Sequence, residues 1–294
     1  MSVFVTGASG FVGRAVVQDL LQAGHSVVGL ARSDDSAAAL AAAGAEAQRG
    51  DLSDPEGLAR TAAAADGVIH LAFIHDFSQY QTNIDTDRVA VEAMLGALAG
   101  SGKPFVGTSG TLMLAPGRLA VETDKAAKYG DANTRGDTES VVTSAEGVRG
   151  SVIRLAPTVH DAGDHGFVPR MVEAAKQHGY AGYIGEGANR WSAVARKDAA
   201  TLYRLALEKA AGGTSFHGVA EEGVAIRDIA TAIGEGLGLP VRSLTPEEAP
   251  GFFGFLAMFA GSDNPASSAI TRETLGWTPV GPGLIEDIRA NYLG

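Results

Sequence analysis

Short apolar runs alternate with stretches of helical periodicity through the first half of the chain. The runs over 3–6, 26–31, 45–49, 67–72 and 104–108 read as strands. Between them, apolar residues three and four apart over 12–23, 36–43, 55–64 and 83–100 read as helices, and a helix over 134–144 leads to a strand over 150–155. This order with short turns predicts an α/β fold with a doubly wound parallel sheet, because each right-handed crossover helix returns the chain to the same sheet. After residue 157 the rhythm breaks. A loop and a helix over 169–178 precede the stretch Tyr183-Ile184-Gly185-Glu186-Gly187, then a helix over 197–209 and a strand over 214–219 return to the sheet. Helices over 226–237 and 246–260 and a last one over 284–292 predict a smaller C-terminal lobe.

The first strand runs straight into Thr6-Gly7-Ala8-Ser9-Gly10-Phe11-Val12-Gly13. Strand, glycine turn and helix in that order bring free N–H groups at a helix start to face an anionic pyrophosphate, with the positive end of the helix dipole behind them. Surface turns are glycine-rich for conformational reasons alone, but here the flanking strand and helix favour a Rossmann dinucleotide site over a plain turn. Gly7, Ser9, Gly10, Phe11, Val12 and Gly13 are its candidate residues. The second strand ends Gly29-Leu30-Ala31-Arg32-Ser33. Ala31 stands where an NAD-selective site has an acid, while Arg32 and Ser33 are placed to meet a 2′-phosphate, which predicts NADP over NAD. Asp34 and Asp35 keep NAD open as the alternative. The chain then divides into a dinucleotide-binding core over 1–158, a substrate-pocket insertion over 159–191, a return to the sheet over 192–220 and a substrate-binding lobe over 221–294.

Composition narrows the partners. The 294 residues are 45% hydrophobic and contain no cysteine, which excludes disulfides and thiolate chemistry. A net charge of −11 without long charge runs argues against nucleic acid and anionic membrane, leaving a small-molecule substrate. No signal peptide precedes the first strand and no apolar run approaches the roughly 20 residues that cross a bilayer, so a cytoplasmic location is expected. The apolar stretch from Phe252 to Ala260 is short and interrupted by Gly254.

Further motifs fall in order behind the glycine turn. They are Gly50-Asp51-Leu52, His70-Leu71-Ala72, Asn83, Thr108-Ser109-Gly110-Thr111, Arg154 to His160, Asp198-Ala199-Ala200 and Leu275-Gly276-Trp277-Thr278-Pro279. With them the chain resembles the extended short-chain dehydrogenase/reductases, in the NAD-dependent epimerase/dehydratase group. The resemblance implies cofactor contacts by Asp51, Leu52, Leu71, Ala72 and Phe73, a catalytic hydroxyl at Ser109 or Thr111, and a homodimer through the helices over 83–100 and 134–144. For the two hydroxyls, a turn or cap is the plain alternative. One departure stands out. The family's Tyr-x-x-x-Lys pair is replaced: with Glu139 placed on the glutamate that follows it, Asp131 takes the tyrosine position and Arg135 the lysine position. Arg135 can still stabilise an oxyanion but cannot shuttle a proton. Tyr129, two residues upstream, is either a displaced catalytic phenol or a loop aromatic.

His75 and His160 are further proton-donor candidates on loops. The cluster His160, Asp161, Asp164 and His165 matches no metal-site spacing, so no metal is assigned. Phe167, Tyr183, Trp191 and Phe252 are either pocket walls or core. These readings converge on an NADP-dependent oxidoreductase acting on a carbonyl or alcohol. A cofactor-binding redox sensor with little turnover and a nucleotide-sugar epimerase or dehydratase are the alternatives.

Overall fold

Side-chain alternation in the first strand, β1 (Ser2–Thr6), decides how the sheet is covered. Val3 and Val5 enter one apolar core and Phe4 another, on opposite faces of the strand. In the computed structural model, which describes residues 1–74, 79–112, 114–125 and 134–294, helices cover both faces. The order is β1, α1 (Phe11–Gln22), β2 (Ser26–Ala31), α2 (Asp34–Ala42), β3 (Glu46–Arg49), α3 (Pro55–Ala64), β4 (Gly67–His70), α4 (Tyr80–Leu98), β5 (Pro104–Gly110), α5 (Arg135–Thr143) and β6 (Arg149–Leu155). There follow β7 (Thr158–His160), α6 (Phe167–His178), β8 (Ala181–Ile184), β9 (Arg190–Ala195), α7 (Arg196–Lys209), β10 (Thr214–Gly218), β11 (Glu221–Ala225) and α8 (Ile226–Leu237). The chain closes with β12 (Val241–Leu244), α9 (Ala249–Phe253), α10 (Ala257–Ala260), α11 (Ala269–Leu275) and α12 (Leu284–Asn291).

Seven parallel strands form the main sheet in the order β10-β6-β5-β4-β1-β2-β3. The doubly wound parallel sheet expected from the pattern is the one observed. Val16, Val17 and Leu20 of α1 and Leu202, Tyr203 and Ala206 of α7 share the core of Val3 and Val5. Leu58 of α3, Met94 and Leu98 of α4 and Val142 of α5 share that of Phe4. The chain winds outward from β1 to β3, then crosses back to β4 and winds the other way. A crevice opens at that reversal, beyond the carboxyl ends of β1 and β4.

The segments 159–191 and 221–294, far apart in sequence, build one second core. Val168 and Met171 of α6, Trp191 of β9, Ile229 and Ile233 of α8 and Ile288 of α12 meet there. Two small sheets, β11-β9-β7 and β12-β8, cross-link these segments. The return to the main sheet comes through α7 and β10, while β9 stays in the second body. The single helix expected over 246–260 is broken: Gly254, at φ +56°, ends α9, and a 3₁₀ turn Gly254–Leu256 leads into α10. An apolar run carries no sign of that interruption except the glycine itself, the residue best able to adopt such an angle. Among the described residues no helix is long and apolar enough to cross a membrane.

Candidate active site

A cleft of about 650 Å³ lies at the strand reversal. Gly7, Ser9, Gly10, Phe11, Val12 and Gly13 line it, with Arg32, Asp51, Leu52, Leu71, Ala72, Phe73, Ser109 and Arg135. These are sequence-expected residues brought to one place. The turn fits a dinucleotide's pyrophosphate by its clearances: a Cβ on Gly7 (φ +66°) would stand 2.7 Å from the Ala72 nitrogen, and one on Gly13 2.0 Å from the Gly7 oxygen. No side chain caps the start of α1, so its first N–H groups face the cleft without an internal acceptor from a capping side chain.

A polar thread holds the floor. The Thr6 hydroxyl accepts from the Ala72 N–H at 3.2 Å and contacts Nδ1 of His70 at 2.8 Å, while Nε2 of His70 contacts the Asp87 carboxylate at 3.0 Å. An ionised carboxylate only accepts, so Nε2 donates to Asp87 and the Thr6 hydroxyl bridges the ring and the Ala72 N–H. All three side chains are buried.

At the end of β2, Arg32 lines the cleft and among the described residues has no carboxylate within ion-pair distance, the Asp51 charge acting on it only at longer range. Ser33 does not line it. Its hydroxyl accepts from the Ser36 N–H in a capping box at the start of α2, the local use that serines at helix starts favour. The Asp34 carboxylate lies 3.6 Å from Arg49 on β3, and neither Asp34 nor Asp35 lines the cleft. The Ser53 backbone N–H holds the Asp51 carboxyl below its usual range.

At the other end, Arg135 occupies the first turn of α5, where the helix dipole disfavours a cation. It is held there by a hydrogen bond to the Thr108 carbonyl at 3.0 Å and by the Phe73 ring, 4.3 Å from the guanidinium. Ser109, at the end of β5, lines the cleft beside it. Thr111 does not. Its buried hydroxyl contacts the Leu155 carbonyl and the Ser192 hydroxyl, 3.2 Å away, which is the turn use weighed against catalysis. Tyr129, Asp131 and His75 lie outside the described residues. Tyr203 is fully buried behind the cleft wall, its phenol 2.8 Å from the Thr108 hydroxyl and its pKa pushed up by burial.

Thr108 of the strand-end motif and His165 of the polar loop cluster also line the cleft, with Arg170 and Phe255, which were not singled out from sequence. Arg170 and Phe167 stand three residues apart on α6, a spacing that shares a helix face and was the available signal. Of the expected walls, Phe167 lines the cleft; Trp191 and Phe252 are buried in the second core, and Tyr183 packs at its edge. His160 is buried against Asp287 at 2.9 Å, Asp161 pairs with Arg196 at 2.9 Å, Asp164 accepts from Tyr292, and His165 meets the Phe11 ring edge-on. The four side chains thus face different partners.

The family model described as "NAD dependent epimerase/dehydratase family" matches residues 3–218, which span this sheet and cleft. The chain belongs to that family. This family member is 48% identical over 296 residues, 99% of each chain, to the uncharacterized protein YLL056C of Saccharomyces cerevisiae. To the 2-alkyl-3-oxoalkanoate reductase of Stenotrophomonas maltophilia it is 30% identical over 233 residues, covering 75% of this chain and 69% of the relative. The solved structure of MoeE5 in complex with UDP-glucose and NAD superposes with a TM-score of 0.76 at 19% identity, covering 100% of this chain and 97% of that one.

Two marker motifs of this epimerase/dehydratase member prove to be one clasp. The Asp198 carboxylate accepts from the Val280 and Gly281 N–H groups at 3.0 and 2.8 Å, and the Trp277 indole donates to the Asp198 carbonyl at 3.0 Å. Arg154 forks onto the buried Glu139 carboxylate and donates to Nε2 of His217, which explains the Arg154 marker as support beneath α5.

Proposed function

We propose that this protein is an NADP-dependent reductase of a small-molecule carbonyl. The observation that carries the reading is Arg32, which stands at the cleft end of β2 with no carboxylate in ion-pair contact among the described residues, where Ala31 replaces an acid and Asp34 turns to Arg49. A guanidinium there forks onto a 2′-phosphate that an acid would repel. Two relatives carry reductase names: the 2-alkyl-3-oxoalkanoate reductase, and the 4-hydroxy-2-methyl-3-oxo-4-farnesyl-3,4-dihydroquinoline-1-oxide ketoreductase of Stigmatella aurantiaca, 29% identical over 187 residues.

When bound, the reduced dinucleotide supplies a hydride for the carbonyl carbon. The turn at Gly7 to Gly13 would hold its pyrophosphate, and the wall of Leu71, Ala72 and Phe73 would bound the ring that reacts. Ser109 donates a hydrogen bond to the substrate oxygen. Arg135 spends one N–H on the Thr108 carbonyl and keeps others for the negative charge that grows on that oxygen. The proton completing the alcohol is assigned to Tyr129 or His75, to be separated by substitution. Among the described residues no tyrosine lines the cleft, which is the observation favouring the second reading, a cofactor-binding sensor with little turnover.

Calorimetry with NADPH and NADH, followed by NADPH oxidation against aldehydes, ketones and quinones, tests both. Tighter NADPH binding, with turnover reduced about 100-fold or more by Ser109→Ala, supports the reductase. Tighter NADH binding overturns the cofactor assignment, and tight cofactor binding without any turnover transfers the protein to the sensor class.

A further inference from the structure

Three arginines line the cleft, Arg32, Arg135 and Arg170, and among the described residues none has a carboxylate within ion-pair distance. Elsewhere Arg49, Arg118, Arg190, Arg196 and Arg204 are each paired with an aspartate, while Arg14 and Arg149 spend their N–H groups on backbone carbonyls. Unpaired guanidiniums gathered along one cleft mark places for anions brought by ligands. In the reductase reading Arg32 meets the cofactor and Arg135 the reacting oxygen. Arg170 remains.

We infer that Arg170 selects the substrate, binding the carboxylate of an oxo acid whose body is apolar; the inference rests on the reductase reading. The Arg170 guanidinium lies 5.1 Å over the ring of Phe255, which orients it without engaging its N–H groups, and among the described residues it makes no hydrogen bond. A planar guanidinium free on its edges is shaped for a bidentate carboxylate. Asp164, which also lines the cleft, is engaged by the Gly166 N–H at 2.7 Å and the Tyr292 hydroxyl at 2.9 Å, and among the described residues it makes no ion pair with Arg170. The cleft also presents Leu112, Leu155, Pro157, Val159 and Phe167, the last of them three residues from Arg170 on α6, apolar surface that suits a hydrocarbon body.

The test is NADPH oxidation with oxo-decanoates differing in carbonyl position, each beside its methyl ester, and with UDP-glucose as a nucleotide-sugar probe. Charged hydrogen bonds of this kind give the wild-type protein an acid-over-ester preference in kcat/KM of roughly 10- to 100-fold, seen mainly in KM. Arg170→Gln erases the preference and Arg170→Lys keeps part of it. Equal losses for acid and ester in Arg170→Gln, an ester used as well as the acid by wild type, or UDP-glucose as the preferred ligand would each overturn the inference. If NADPH binds but nothing is reduced, the reductase reading fails by itself. Calorimetry of 3-hydroxydecanoate into the protein–NADP mixture then decides Arg170 separately: binding at least about 10-fold weaker in Arg170→Gln sustains it, and equal or undetectable binding to both proteins refutes it.

Discussion

The glycines show how a single hydrogen-sized side chain sets a site. A methyl on Gly13 would stand 2.0 Å from the Gly7 oxygen, a backbone atom with nowhere to go. Gly13→Ala is therefore expected to cost about 1–3 kcal/mol of stability and to abolish the heat of cofactor binding. Gly96, exposed in α4 with nothing near its Cβ direction, gives the contrast: Gly96→Ala raises stability by about 0.5–1 kcal/mol and leaves cofactor binding intact. Urea melts and calorimetry on the two variants check both signs. At this scale much of the cofactor end was legible in the sequence, because a glycine turn between a strand and a helix is a local structure. For Ser33 and Thr111 the same local view could not choose between ligand and structural use. Hydroxyls serve caps and turns as readily as ligands, and only the positions of Ser36 and Ser192 show where these two are committed.

The elements of the first half follow directly from their periodicity, since a strand buried on both faces and a helix with one apolar stripe write different patterns. The second half resisted for a physical reason. Strands such as β7 and β8 have three or four residues and exist because a distant partner pairs with them, a tertiary cause that leaves little local mark. Arg170 was missed similarly: α6 was legible as a helix, but which face met the cleft depended on how the second core sits. The clasp at the start of α7 is where elements from both halves are joined. Asp198→Ala would leave the Val280 and Gly281 N–H groups without their acceptor, at a cost of about 1–3 kcal/mol. Thermal melts should show the loss, and cofactor affinity measured well below the melting temperature should change little, since Asp198 lies outside the cleft lining.

For the molecule as a whole, the buried polar cluster beneath α5 sets an acid limit on stability. Burial pushes the pKa of His217 below its ordinary value, and its ring is committed as the neutral form, Nδ1 donating to the Ser267 carbonyl at 2.7 Å and Nε2 accepting from Arg154. The unfolded chain takes up a proton near pH 6.5 while the folded one still refuses it. His217 therefore contributes stability that is fully present above about pH 6.5 and is lost as pH falls towards the lower folded value. Melting temperatures between about pH 7.5 and 5.5 should decline, and His217→Asn, though less stable at the upper end, should show a shallower decline. An unchanged slope would remove His217 from the account.

The buried thread from Asp87 through His70 to Thr6 has a consequence for how this architecture tolerates change. The backbone ladder sets the spacing of β1 and β4, and the thread ties their ends to α4 by directional bonds. Replacing one member of the thread would leave its neighbours reaching for a bond in a place water does not enter, so this corner of the nucleotide's seat accepts less chemical change than the hydrocarbon around it.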